Sequence, residues 1–182
     1  MKATGIVRRI DDLGRIVIPK EIRRTMRIRE GDPMEIFTSR EGEILLKKYS
    51  PVGELSEFAV GIAESIAQTL GELVCVTDRD YVIAAAGSGK KELEGRLLDA
   101  QMQNAIDQRM NQITVGDKTK FVKITAEDEK EYDRQAVATI LANGDSIGAV
   151  IILGKEKNNH SDDALLQIAK TVATFLGKHM EQ

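Results

Sequence analysis

Apolar and polar positions alternate with two different periods along the chain, and the changes of period mark its elements. Residues 4–10 and 15–18 are rich in β-branched side chains and predict two strands, with Asp11-Asp12-Leu13-Gly14 as the turn between them. Pro19 suits the first position of a helix, and residues 20–27 predict a short one that Glu30-Gly31-Asp32 ends. Residues 34–38 and 43–49 predict a second hairpin around Arg40-Glu41-Gly42. From residue 52 to residue 70 the period becomes helical: Leu55, Phe58, Ala59, Ile62, Ala63, Ile66, Ala67 and Leu70 share one side, and Gly71 is a plausible stop. Strands are predicted over 73–77 and 81–86, a helix from about 91 to 109, and a strand over 120–125. A loop is predicted over 126–134, and two strands over 135–141 and 147–153 around a turn at 143–146. Ser161-Asp162-Asp163 caps a last helix whose apolar stripe includes Leu165, Ile168, Ala169, Val172, Phe175 and Leu176.

This order predicts an α+β chain in two parts: residues 1–50, and residues 51–182 with an antiparallel sheet flanked by helices. The helix over 52–70 would either connect the parts or pack on a partner, or else cover its own sheet; pattern alone leaves both open. The first part is small for a stable core. Its first hairpin is also apolar on both faces, with Ile6, Ile10, Ile16 and Ile18 opposed to Val7 and Val17. One hairpin cannot bury both sides, so a dimer in which hairpins of two chains complete one barrel is expected.

Charge changes the picture next. The net charge of -3 hides a division. Residues 1–50 hold 12 Lys and Arg against 8 Asp and Glu, a net of +4, and the remainder carries a net of -7. A basic end joined to an acidic remainder points to a polyanion partner for the first part. Seven arginines fall between Thr4 and Phe37. Lys20, Arg23, Arg24 and Arg27 stand at helical spacing and predict one basic stripe, joined by Arg8 and Arg15 on the hairpin. Guanidinium groups fixed on a fold read phosphates and base edges.

The order TGIVRRIDDLGRIVIPKEIRRT, followed by GDPMEIF, resembles the AbrB-type swapped-hairpin DNA-binding domain, whose fold is a dimer of interleaved hairpins. The resemblance implies double-stranded DNA as partner and Arg8, Arg15, Arg23 and Arg24 as contact positions. Lys2, Arg9, Lys20 and Arg27 stand beside them as further candidates. Residues 51–182 resemble GAF sensory domains in strand order and helix placement. The whole chain is similar to a family of regulators from endospore-forming bacteria that activate and repress sporulation genes in the forespore. That resemblance implies a tetramer paired through the first and last helices of the GAF-like part, and leaves a small-molecule effector open.

Gly87-Ser88-Gly89-Lys90-Lys91 lacks the spacing of a phosphate loop and reads as a connection able to cover a pocket. The single cysteine, Cys75, lies in an apolar strand and reads as a small buried hydrophobe. Two histidines, His160 and His179, without a second cysteine make a zinc site improbable. No catalytic constellation and no cofactor motif is found, so an enzyme is not expected. One cysteine, no apolar leader and no membrane-length run place the expected location in the cytoplasm, at the nucleoid. Two alternatives carry weight beside the regulator: an antitoxin sharing the same head, and a small-molecule binding protein whose DNA binding is secondary.

Overall fold

The computed structural model describes residues 5–54, 56–129, 132–155 and 160–181. The chain divides into two compact units, Met1–Tyr49 and Ser50–Gln182.

The first unit holds α1 (Lys20–Thr25), β1 (Met34–Thr38) and β2 (Ile44–Lys48). β1 and β2 pair antiparallel with Ile36 opposite Leu46. Among the described residues no ladder joins the expected first strands, which correct to extended, exposed chain around a turn at residues 11–15. The reason is the one their pattern implies: with apolar residues on both faces and no second layer in the same chain, a lone two-stranded ribbon has nothing to pack on. Among the described residues no closed barrel forms within one copy. Pro19 occupies the N-cap position, one residue before the helix, with φ -58.

The second unit begins with α2 (Pro51–Glu54) and α3 (Ser56–Leu70). The strands β3 (Leu73–Thr77), β4 (Val82–Ala86), β5 (Asn111–Val115), β6 (Arg134–Ala142) and β7 (Asp145–Gly154) form one antiparallel sheet in the order β4-β3-β7-β6-β5. α6 (Asp162–His179) and α3 cover one face. α4 (Lys90–Leu93), α5 (Ala100–Asp107) and the segment around Phe121 cover the other. Successive strand residues serve opposite cores: Val74 and Val76 meet α3 and α6, while Cys75 between them meets the α5 side. Both faces are therefore apolar, and β6 and β7 are buried along most of their length.

Small residues bring α6 close to the sheet. A Cβ added at Gly177 would collide with the Leu141 carbonyl oxygen of β6. The helix starts where Ser161 Oγ accepts from the Ala164 N–H (3.2 Å), with Asp162 and Asp163 in its first turn.

Two expected elements differ in the structure, and one strand was not expected. The helix expected from 91 to 109 is two, because Gly95 (φ 71) turns the chain out and residues 95–99 pair as backbone instead. Gly95 N–H donates to Val82 O (2.9 Å), Val82 N–H to Arg96 O (2.9 Å) and Leu98 N–H to Asp80 O (2.7 Å). The Asp99 carboxylate then caps α5 through the Gln101 N–H (2.9 Å). The strand expected over 120–125 is buried chain joined by a single bridge, Leu98 to Thr125. In place of a neighbouring strand, the side-chain amide of Gln135 accepts from Val122 N–H (2.7 Å) and donates to Val122 O (2.8 Å). β5 went unforeseen, since an edge strand reading Asn-Gln-Ile-Thr-Val buries little and offers only two apolar residues to mark it. The loop expected over 126–134 lies partly outside the described residues.

One buried ion pair ties the second unit together. Arg134, at the start of β6, donates to the His160 carbonyl (2.6 Å), the Lys155 carbonyl (3.1 Å) and the Glu72 carboxylate (3.3 Å). The Arg134 and Glu72 side chains are 9% and 2% exposed. Asp162, in the first turn of α6, stands 3.5 Å from the same guanidinium. His160 Nε2 donates to the carbonyl of Leu70, the last residue of α3 (3.1 Å).

Candidate nucleic-acid interface

The turn at residues 11–15 is built by one carboxylate. Asp11 Oδ1 accepts from the N–H groups of Leu13 (3.0 Å) and Arg15 (2.7 Å), while Oδ2 accepts from Arg15 Nε (2.8 Å). The Arg15 backbone N–H and then its guanidinium hold the Asp11 carboxyl below the ordinary carboxylate range. Arg15 is thereby oriented at the tip of an exposed turn, with its side chain 69% exposed. Arg8 and Arg9 lie on the exposed chain before that turn.

On α1, Lys20 and Arg24 are exposed and Arg23 is half-buried. Arg23 and Arg24 stand in the last turn, where the helix dipole favours cations. Arg27 departs from the expected stripe. The helix ends at Thr25, and Arg27 turns into the left-handed region with φ 54, so it does not continue the i, i+3, i+4 face. Its carbonyl accepts from Lys48 Nζ (3.1 Å), which also meets Asp32 (3.1 Å). Asp32 in turn accepts from the Arg29 N–H (2.8 Å), so Asp32 and Lys48 build the loop after α1. Neither was singled out from sequence, because the pairing spans the second hairpin. Lys2 lies outside the described residues.

The cations share their surface with uncovered apolar side chains. Val7 is 88% exposed, Val17 72%, Leu13 70% and Ile10 61%. Ile36, Ile44 and Leu45 of the second hairpin are exposed as well. A monomeric surface seldom carries so many large apolar groups in one small unit.

The second unit offers a different site. A cavity of about 780 Å³ opens between the start of β3, the loop before α4 and the end of β7. Leu73, Leu93, Leu153 and Tyr132 give it apolar wall, and Ser88 and Gly89 of the glycine-rich connection lie on its rim. Cys75 is fully buried elsewhere in that core, its thiol pushed up to about 12 by burial and then by the charges of Asp128 and Glu94. Among the described residues no group of three or more His, Cys, Asp or Glu is placed to hold a metal, and no helix is long and apolar enough to cross a membrane.

Residues 54–181 match the family model described as stage V sporulation protein T C-terminal, transcription factor. Over all 182 residues, covering both chains completely, the sequence is 46% identical to stage V sporulation protein T of Bacillus subtilis. The chain belongs to the stage V sporulation protein T family of transcription factors.

The head carries a second relationship. Residues 7–54 match a model described as antidote-toxin recognition MazE, bacterial antitoxin. The transition state regulatory protein AbrB of Bacillus subtilis is 52% identical over 63 residues, 31% of this chain and 65% of that protein. The stage V sporulation protein T family thus joins an AbrB-like DNA-binding domain to a second domain. That second domain has the GAF fold. It is similar to the cofactor binding GAF domain of the nutrient sensor CodY from Clostridium difficile, with TM-score 0.51 and 16% identity over 66% of this chain and 83% of that one.

Proposed function

We propose that two copies of the first unit interleave residues 5–18 into one β-barrel, and that this dimer binds duplex DNA at sporulation promoters. Arg8, Arg15, Arg23 and Arg24 approach the grooves, while Lys2, Arg9, Lys20 and Arg27 neutralise phosphates. The observation that carries the reading is the exposed run Val7, Ile10, Leu13 and Val17, interspersed with Arg8, Arg9 and Arg15. Those apolar groups need a cover that one copy lacks, and covering them fixes the arginines beside them on a rigid surface.

The proposal extends to the second unit. Pairing of copies through α3 and α6 makes a tetramer. It is supported by an exposed aromatic cluster in which Phe58 lies 5.7 Å from Phe175 and 5.4 Å from His179. Phe58 and Phe175 are 40% and 49% exposed. Two heads on one particle then engage one DNA with raised effective concentration. The cavity beside β3 takes an effector that biases activation or repression, in the cytoplasm of the forespore at the nucleoid. The test is titration of the full chain with duplex promoter DNA over a range of salt. Arg15→Ala and Arg24→Ala each weaken binding; both binding like the parent at moderate salt would refute the interface.

An antitoxin reading draws on the family model matched by residues 7–54. Against it stands the second unit, which has a two-sided core of its own and does not resemble a tail that folds on a toxin.

A further inference from the structure

The exposed turn that carries Arg15 is closed twice over. Its backbone closes it first. The Asp11 N–H donates to the Arg15 carbonyl (3.1 Å), and the Gly14 N–H donates to the Asp11 carbonyl (3.0 Å). Gly14 takes the left-handed conformation that this turn requires, with φ 77. The Asp11 side chain closes it again through Oδ1, which accepts from the Leu13 and Arg15 N–H groups (3.0 and 2.7 Å). The turn is thus complete before Oδ2 is used. That second oxygen accepts from Arg15 Nε (2.8 Å).

The effect of Oδ2 falls on the guanidinium. Both side chains are well exposed, 69% for Arg15 and 38% for Asp11, so the ion pair contributes little to stability. It does contribute order. An arginine side chain in water samples many rotamers, whereas this carboxylate is itself fixed by two backbone N–H groups. Arg15 held through Nε keeps its two Nη groups as one planar edge, the kind of edge that pairs with O6 and N7 of a guanine. The Asp11 charge also offsets that of Arg15 at long range and repels a phosphate brought up to the turn. Phosphate contacts are available on any sequence, and base contacts are not. At this one position the pair favours reading over indiscriminate attraction.

We propose that Asp11 is a specificity-determining residue of the DNA interface. It is a positioning residue that acts through Arg15, setting the guanidinium for a base edge and holding down binding to phosphate alone. The inference rests on the reading of Arg15 as a groove contact and names what makes that contact selective.

The test uses the full chain and two short duplexes: one selected by the parent chain from a random pool, and one of the same composition in scrambled order. Asp11→Asn keeps a side-chain oxygen for the two N–H groups and removes the charge opposite Arg15. It weakens binding to the selected duplex about three- to tenfold, the cost of ordering one long side chain at the moment of binding. It tightens binding to the scrambled duplex, with a steeper salt dependence. Asp11→Ser, whose hydroxyl also caps such a turn, gives the same pattern and guards against a folding defect in either variant. In an Arg15→Ala background neither substitution weakens binding to the selected duplex further, whereas a purely structural role in the turn would persist there. Equal loss on both duplexes, or an undiminished loss in the Arg15→Ala background, would overturn the inference, because Asp11 would then only shape the turn. Unchanged binding in both Asp11 variants overturns it too, as does a pool from which the parent selects no sequence. If Arg15→Ala itself binds the selected duplex like the parent, the reading of Arg15 as a contact falls first and the inference falls with it.

Discussion

Replacing Arg134 by Met is the sharpest test of how the second unit holds together. The substitution keeps an unbranched, space-filling side chain and deletes a charge that serves three elements. Glu72, with a side chain 2% exposed, loses its counterion and stays buried. The carbonyls of His160 and Lys155 lose donors at 2.6 and 3.1 Å. Asp162 adds little, since its side chain is 45% exposed and water replaces the guanidinium there. Removing one partner of a buried pair costs about 3–5 kcal/mol, most of it the stranded charge rather than the lost attraction. For a unit of this size each kcal/mol is worth about 3–4 °C, so the melting transition of the second unit falls by about 10–20 °C.

The assay is calorimetry or urea unfolding of the full chain, carried out on Arg134→Met, Glu72→Gln and the double variant. Because the penalty is an uncompensated charge, the double variant is more stable than Arg134→Met alone, although two groups have been changed. A loss under about 1 kcal/mol in Arg134→Met would refute the reasoning, because it would mean that water reaches the pair. Strict additivity of the two single substitutions would refute it too, by showing that the partners do not sense each other.

Further outcomes follow from single features. Gly177→Ala, which in an exposed helix would add about 1 kcal/mol of stability, instead destabilises by about 1–3 kcal/mol, because the new Cβ meets the Leu141 carbonyl oxygen; urea unfolding decides the sign. Cys75 stays unreactive toward a thiol reagent at pH 8 in the folded chain and reacts at once in denaturant, as its burial and raised pKa require. The same thiol lowers stability at high pH. The unfolded chain releases that proton near its ordinary value of 9.0 and the folded one at about 12, so stability is full below pH 9 and declines through this window by up to about 1.4 kcal/mol per pH unit. Arg24→Ala weakens DNA binding by about 1–3 kcal/mol if the arginine reads a base, and by a smaller, sequence-independent amount with a shallower salt slope if it meets a phosphate; a salt titration on specific and random duplexes tells them apart.

What was legible in the sequence followed from local chemistry. Ser161 marked the start of α6 because its hydroxyl has one task there, and the strands β6 and β7 were visible because each carries a strand-length run of mostly apolar residues on either side of a turn. The AbrB-like head and the GAF-like domain were both legible, one from a dense motif and the other from element order. What stayed hidden depends on contacts far apart in the chain. The break at Gly95 is stabilised by pairing to Val82, and helical spacing of the flanking leucines masks it. Residues 120–125 have strand composition, but their backbone is met by the side chain of Gln135. The expected basic stripe loses Arg27 to a left-handed residue that no local pattern announces, since arginine has no preference for that conformation. The Arg134–Glu72 pair joins residues 62 positions apart, and neither residue has a neighbour in sequence that hints at the other.

That pair also links the cavity of the second unit to the ends of α3 and α6. Glu72 lines the cavity, and so does Lys155, whose carbonyl accepts from Arg134. The same guanidinium holds His160 and Asp162 at the start of α6, and His160 returns to the last carbonyl of α3. The helices that carry Phe58, Phe175 and His179 are therefore anchored at their Leu70 and Asp162 ends by a group that also touches the cavity wall. Under the effector role proposed for the cavity, a ligand that repositions Glu72 or Lys155 acts on those helix ends through one residue. Substitution of Arg134 by Lys separates this linkage from stability: one ammonium retains the charge opposite Glu72 but lacks the planar fork that reaches both carbonyls. Arg134→Lys is accordingly more stable than Arg134→Met, yet it shows faster amide hydrogen exchange in the first turn of α6. Equal protection of that turn in Arg134→Lys and in the parent chain would show that the charge alone suffices and that the fork transmits nothing.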